Sequence, residues 1–120
     1  MRHDESRIQA ACVTYFGIRY RHLAPLFFSV PNGARVGERQ RYILKSEGMR
    51  AGVSDMILLV PSAHYHALLI EFKAAKGRQS PAQKEFQAAA EGQGYLYAIV
   101  RSLDEFIDLI KSYLNDAQRT

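Results

Sequence analysis

The chain has 120 residues, of which 48% are hydrophobic and 23% charged, and its formal net charge is +4; these values fit one globular domain over 1–120 with enough apolar material for a core. No apolar run approaches the roughly 18 residues of a membrane span, no apolar signal region follows Met1-Arg2-His3-Asp4-Glu5, and the single cysteine, Cys12, excludes an internal disulfide and a multi-cysteine zinc site. A cytoplasmic location follows, and the basic balance admits a nucleic-acid partner without requiring one.

Taken in chain order, Ile8, Cys12, Tyr15 and Phe16 recur at helical spacing and predict a helix from about Glu5 to Tyr20, with Asp4 as its N-cap. "LFFSV", 26–30, is aromatic and β-branched and reads as a strand, closed by the turn signal "PNG" at 31–33. A short helix follows over about Glu38 to Glu47, with Gly48 placed to cap its C-terminus. "DMILLV", 55–60, and "ALLIEFK", 67–73, read as the second and third strands. "SPAQ", 80–83, opens a helix to about Gln93: Ser80 is the N-cap, Pro81 the first helical residue, and Gln83 completes a capping box. "YLYAIV", 95–100, is a fourth strand, and "SLDE", 102–105, repeats the capping logic before a last helix whose apolar face carries Ile107, Ile110 and Leu114. The order α-β-α-β-β-α-β-α gives an α/β fold, a mixed four-stranded sheet flanked by helices. Helices on both faces explain why the third and fourth strands alternate so little.

The second and third strands are joined by "PSAHY", 61–65, so they form an antiparallel hairpin. A pairing of Val60 with His66 puts Asp55 directly opposite Glu71, with Cβ atoms about 4.5–5.5 Å apart on one face. Two carboxylates that close repel each other unless a divalent cation lies between them, and Mg²⁺ prefers such oxygen ligands. The strand period of two turns Lys73 to the same face as Glu71. Asp, Glu and Lys at one end of a hairpin suit phosphodiester hydrolysis: the metal activates a water and Lys73 orients it or neutralises developing charge. The plain alternative is a solvated strand end with a small salt bridge.

Asp55 followed by Glu71-x-Lys73 resembles the PD-(D/E)xK nuclease superfamily, whose core is that of the restriction endonucleases. More specifically, "ESRIQ" (5–9), "PNGA" (31–34), "GVSD" (52–55), "IEFK" (70–73) and "SPAQ" (80–83), in that order, are similar to the VRR-Nuc family of that superfamily. The resemblance spans nearly the whole chain, up to the "YAIVRS" strand. It implies a small stand-alone nuclease of the kind found in bacteriophages and bacteria, homodimeric, dependent on Mg²⁺ or Mn²⁺, and selective for branched DNA such as four-way Holliday junctions. Residue by residue, it implies metal ligands at Glu5, Asp55, Glu71 and the backbone carbonyl of Phe72. It makes Lys73 the catalytic lysine and gives Gln83 the task of placing the attacking water. Gln9 and Asn32 also fall in family motifs.

Each of these residues has a plainer role as well. Glu5 favours the positive end of a helix, although it shares a stripe with Ile8 and Cys12; Gln83 serves its capping box; Asn32-Gly33 makes a turn. His64 and His66 read as solvated loop residues, and Cys12 as a small core residue. Arg35, Arg39, Arg41, Lys45 and Arg50 precede the proposed site, and Lys76 and Arg78 follow it. Together they suit a duplex phosphate backbone, which gives affinity without sequence readout. Arg35 and Arg39 share a face if the second helix begins early enough. A two-fold dimer is the simplest way for a one-site chain to cut two strands. The last helix could lend Phe106, Ile110 and Tyr113 to that interface or pack them on its own sheet. The alternatives are a flap, nick, DNA-end or restriction-type nuclease, and a non-catalytic nucleic-acid-binding module on the same fold.

Overall fold

In the computed structural model, which describes residues 2–31 and 36–118, the chain runs through α1 (Arg2–Arg19), a 3-10 helix (Arg21–Leu26), β1 (Phe27–Ser29), α2 (Glu38–Ser46), β2 (Met56–Leu58), β3 (Leu68–Phe72), α3 (Pro81–Gly92), β4 (Leu96–Val100) and α4 (Leu103–Gln118). The strands lie in the order β1-β2-β3-β4. The first two pairings are antiparallel and the last is parallel. This is the expected mixed sheet and α/β order, with a 3-10 helix added before β1. The expected turn at Asn32-Gly33 lies outside the described residues, and Arg35 with it.

Alternation on the strands sorts side chains between two layers. Phe27, Met56, Leu58, Leu68, Ile70, Phe72 and Val100 meet Cys12 and Phe16 of α1 and Phe106, Ile110, Tyr113 and Leu114 of α4 in the main core. The other face carries Leu69 and Tyr97, which pack with Ala90 of α3; Ile57, Phe86, Tyr95 and Ile99 gather around them. Phe27 anchors the first layer between Phe16 and Phe106, with ring centroids 4.6 and 5.7 Å away. Truncating a buried ring of this kind costs about 3–5 kcal/mol. Phe106, Ile110 and Tyr113 are therefore core residues of their own chain, and the Tyr113 hydroxyl donates to the Val60 carbonyl at 2.6 Å.

Helix ends follow local chemistry. Ser80 Oγ accepts from the Gln83 amide, and Gln83 Oε1 accepts from the Ser80 amide, which closes the expected capping box with Pro81 at the first position. At the end of α2, the Gly48 amide donates to the Lys45 carbonyl and the Met49 amide to the Leu44 carbonyl, the paired bonds of a Schellman cap. The box at α4 is modified: Ser102 Oγ accepts from the Glu105 amide, but the Glu105 carboxylate reaches past the cap to the Arg101 amide. Asp4 caps nothing, because α1 starts two residues earlier at Arg2 and takes Asp4 into its first turn. α2 starts at Glu38 with Gly37 as its N-cap; the expected sharing of a face by Arg35 and Arg39 lies outside the described residues.

Two strand expectations need correction. Leu26 belongs to the 3-10 helix, yet its carbonyl still accepts from Leu59, and Val30 donates to Asp55. The 26–30 segment thus pairs as expected at both ends while only its middle is regular strand. The β2–β3 connection is longer than the five residues of 61–65, because His66 donates to Gly94 beside β4 rather than pairing with Val60. Register is nevertheless as expected: Met56 faces Ile70 and Leu58 faces Leu68. Among the described residues, no helix is long and apolar enough to cross a membrane.

Candidate active site

The paired β2–β3 register ends at Met56–Ile70; Asp55 is the residue before it, in a bend where its amide still donates to the Ile70 carbonyl, near enough to Glu71 and Glu5 to feel their charge. Three hydrogen bonds to neighbouring backbone hold Asp55. Its amide donates to Ile70, its carbonyl accepts from Val30, and its carboxylate Oδ2 accepts from the Phe72 amide at 2.7 Å. Burial lifts the Asp55 carboxyl above its ordinary pKa; the Phe72 amide opposes this, the Glu71 and Glu5 carboxylates raise it further, and Lys73 lowers it. Asp55 therefore senses both of the other acidic residues named from the sequence.

Glu71 is the unusual group. It is a charged side chain only 1% exposed, in a strand whose other residues are all buried apolar ones. Its Oε1 accepts from the Tyr97 hydroxyl and from Gln79 Nε2, the latter at 3.2 Å. Its Oε2 is buried without a hydrogen-bond partner among the described residues. Lys73 Nζ lies 3.5 Å from that oxygen, an ion-pair distance beyond ordinary hydrogen-bond length. Burial, and then the Glu71 carboxylate, push the Tyr97 phenol above its ordinary range, so it remains a donor.

Glu5 reaches the same region from the first turn of α1. A Cβ added at Gly77 would meet Lys73 Cδ at 3.3 Å and Glu5 Oε2 at 3.4 Å, so Gly77 lets these two side chains close around the loop after β3. That loop is clamped by Arg101, whose Nη1 donates to the carbonyls of Ala74 at 2.8 Å and Gly77 at 2.9 Å.

Gln83 does not contact Glu71. Its side chain is committed to the Ser80 cap, but it lines a cleft of about 320 Å³ together with Asp55, Ser80, Gly52, Arg41, Lys45 and Arg50. Three of the expected basic residues thus line the same cleft as Asp55. Arg41 Nη2 also donates to the Val36 carbonyl at 3.2 Å. Arg39, Lys76 and Arg78 are exposed and stand outside that lining. Gly52, the first residue of "GVSD", presses on α3 at Ala82 and seats the Asp55 loop against the capped helix end. Phe72 ends β3 with its ring in the main core and its amide on Asp55. His64 and His66 are exposed as expected; His66 stacks edge-on against Tyr95.

Gln79, Tyr97 and Arg101 were not singled out from the sequence. Tyr97 had one available signal: it is a hydroxyl-bearing ring inside an otherwise apolar strand, and such a group seeks a partner when buried.

Among the described residues, no three His, Cys, Asp or Glu side chains converge closely enough to form a ligand set by themselves. Mg²⁺, however, needs only one or two carboxylates, with waters and substrate phosphates completing the shell. The orphaned Glu71 Oε2, beside a second carboxylate that repels it, fits a hard divalent cation.

The profile of the VRR-NUC domain matches residues 19–104, a span that holds Asp55, Glu71, Lys73 and Gln83 and leaves Glu5 outside. A solved structure described as a "VRR_NUC domain protein" is similar over 93% of this chain and 88% of its own, with a TM-score of 0.81 at 23% sequence identity. No curated protein matches the sequence. With that profile match over most of its length, and with paired acids and a lysine gathered at one end of a mixed sheet, the chain belongs to the VRR-NUC family and is a nuclease-type domain.

Proposed function

We propose that the protein is a Mg²⁺- or Mn²⁺-dependent endonuclease that cuts branched DNA, with the four-way Holliday junction as its substrate and a homodimer as its working form. The observation that carries the chemistry is the group at the hairpin end: Asp55 within electrostatic reach of Glu71, and the Lys73 ammonium 3.5 Å from Glu71 Oε2. In this reading Asp55, Glu71, the Phe72 carbonyl and Glu5 hold the cation. When bound, the cation acidifies a water and offsets charge on the scissile phosphate.

The chain's own residues do the rest. Lys73 faces the phosphate and neutralises the negative charge that builds as water oxygen bonds to phosphorus and the phosphorus–oxygen ester bond breaks. Gln83, on the cleft wall beside Asp55, holds the attacking water with whatever capacity its cap leaves. Arg41, Lys45 and Arg50 hold the adjoining backbone phosphates, while the exposed Arg39, Lys76 and Arg78 extend the basic surface. Such contacts bring affinity without sequence readout, so DNA shape sets the choice of substrate. Two copies related by a two-fold axis would address the two strands to be cut.

The test is a labelled four-way junction incubated with Mg²⁺, with Mn²⁺ and with chelator, beside flapped, nicked, linear and single-stranded DNA. Metal-dependent loss of the junction ahead of the others is expected, and Lys73→Ala should abolish cutting while leaving junction binding intact. Preference for flaps or ends would replace the substrate assignment. Equal cutting with chelator would sink the metal mechanism.

A further inference from the structure

We propose that Tyr97 and Gln79 are positioning residues that hold Glu71 by one carboxylate oxygen, Oε1, and so present the other, Oε2, to the divalent cation; the inference rests on the functional reading above. Two donors from separate elements converge on a single oxygen. Tyr97 arrives from β4, 26 positions beyond Glu71, and Gln79 from the loop ahead of α3. Among the described residues, Oε2, also buried, receives no hydrogen bond, and Lys73 Nζ lies 3.5 Å from it. A carboxylate kept for structure alone would have both oxygens satisfied, because an unpartnered buried acceptor is costly. Here the shortfall falls wholly on one oxygen, the one on the Lys73 side.

The Gln79 amide is itself oriented by a chain that ends at the surface. An ionised carboxylate offers acceptors only. Gln87 therefore turns Nε2 to Glu91 Oε2, at 3.0 Å, and its own Oε1 inward. Gln79 must then present Nε2 to that oxygen, at 2.8 Å, and the second hydrogen of the same nitrogen goes to Glu71. The exposed Glu91 thus fixes which end of a half-buried amide meets Glu71.

Partners that orient a ligand carboxylate from behind typically change metal affinity about 10–100-fold when removed. The experiment compares the full chain with Tyr97→Phe and Gln79→Ala. Mn²⁺ affinity is measured by calorimetry, folding by circular dichroism and thermal melting in chelator, and junction cutting across a Mn²⁺ titration. The expected result is folded variants whose Mn²⁺ dissociation constants rise by about 10-fold or more, with cutting recovering as Mn²⁺ is raised to saturation. The phenylalanine keeps the ring that packs beside Leu69 and Ala90, and Gln79 lies outside the core, so one variant remains informative if the other fails to fold. Unchanged Mn²⁺ affinity in both variants, alongside a wild type that binds and cuts, would overturn this inference and leave the nuclease reading standing. A wild type that neither takes up Mn²⁺ nor cuts any DNA would remove both.

Discussion

Gly52→Ala is the sharpest test of how the site is assembled. Gly52 has φ of +86°, and a Cβ there would lie 2.5 Å from the Ala82 carbonyl carbon and oxygen and 2.9 Å from Ala82 Cβ. Carbon atoms rest about 3.5–4.0 Å apart, so loop and helix must separate by about 1 Å. Ala82 sits between Pro81 and Gln83 in the first turn of α3, so the motion acts on the capping box and on the loop that carries Asp55. Left-handed backbone in a non-glycine residue costs about 1–3 kcal/mol, and overpacking against backbone adds about 1–3 kcal/mol. Gly48 is a natural control: its φ is +109°, but nothing lies within 4 Å of its added Cβ. Gly48→Ala should therefore show the backbone cost alone. Urea unfolding followed by circular dichroism in chelator should place Gly52→Ala about 1–3 kcal/mol below Gly48→Ala. Equal stabilities for the two variants would refute the close approach of the "GVSD" loop to α3.

Further outcomes follow from Cys12, Asp55 and Arg101. Cys12 is wholly buried and burial pushes its thiol up to about 12; a thiol reagent at neutral pH should label it only as fast as the protein unfolds, and fast labelling of the native chain would contradict the packing of α1. Because that thiol is raised from 9.0, its contribution to stability is full below pH 9.0 and is lost as pH rises toward about 12, a decline that Cys12→Ala should flatten. The Asp55 carboxyl is raised mainly by burial, so in chelator its contribution is fully present only below the ordinary carboxylate pKa and is lost as pH rises through the folded value; Asp55→Asn should melt higher than wild type at pH 7 while abolishing cutting, and a lower melting temperature would refute this sign. Arg101→Ala removes charged donors from the 74–77 loop, costing about 1.5–3 kcal/mol by urea unfolding, and should slow cutting by loosening the loop at Gly77, beside which both Lys73 and Glu5 lie; wild-type stability would refute the clamp.

Features set by short-range chemistry were legible in the sequence. The Ser80 box and the Gly48 cap depend on residues within a few positions of each other. The β2–β3 register depends only on strand period, which is why Met56 faces Ile70 and Leu58 faces Leu68 as the sequence requires even though the connecting loop is longer than five residues. What could not be read comes from distant partners. His66 left the expected hairpin because β4 supplied an acceptor at Gly94. Asp4 lost its capping role because α1 begins two residues earlier. Tyr97, Gln79 and Arg101 act on residues 8 to 27 positions away in sequence, and no spacing rule joins a tyrosine of one strand to a glutamate of its parallel neighbour.

The same distinction accounts for how Glu71 is tolerated. The expected cost of a charge in a strand buried on both sides is severe unless partners meet it. Leu69, Tyr97 and Ala90 around it show that this layer packs apolar groups readily, so the sheet had an apolar solution available at position 71. Instead two neutral donors hold one oxygen and an ammonium faces the other across 3.5 Å. Breaking one partner leaves the others facing an uncompensated charge, whereas replacing the whole set with apolar residues could leave the fold as stable. The polar set at the end of β3 therefore leaves one Glu71 oxygen buried, oriented and short of one partner, which is what the proposed cation site requires.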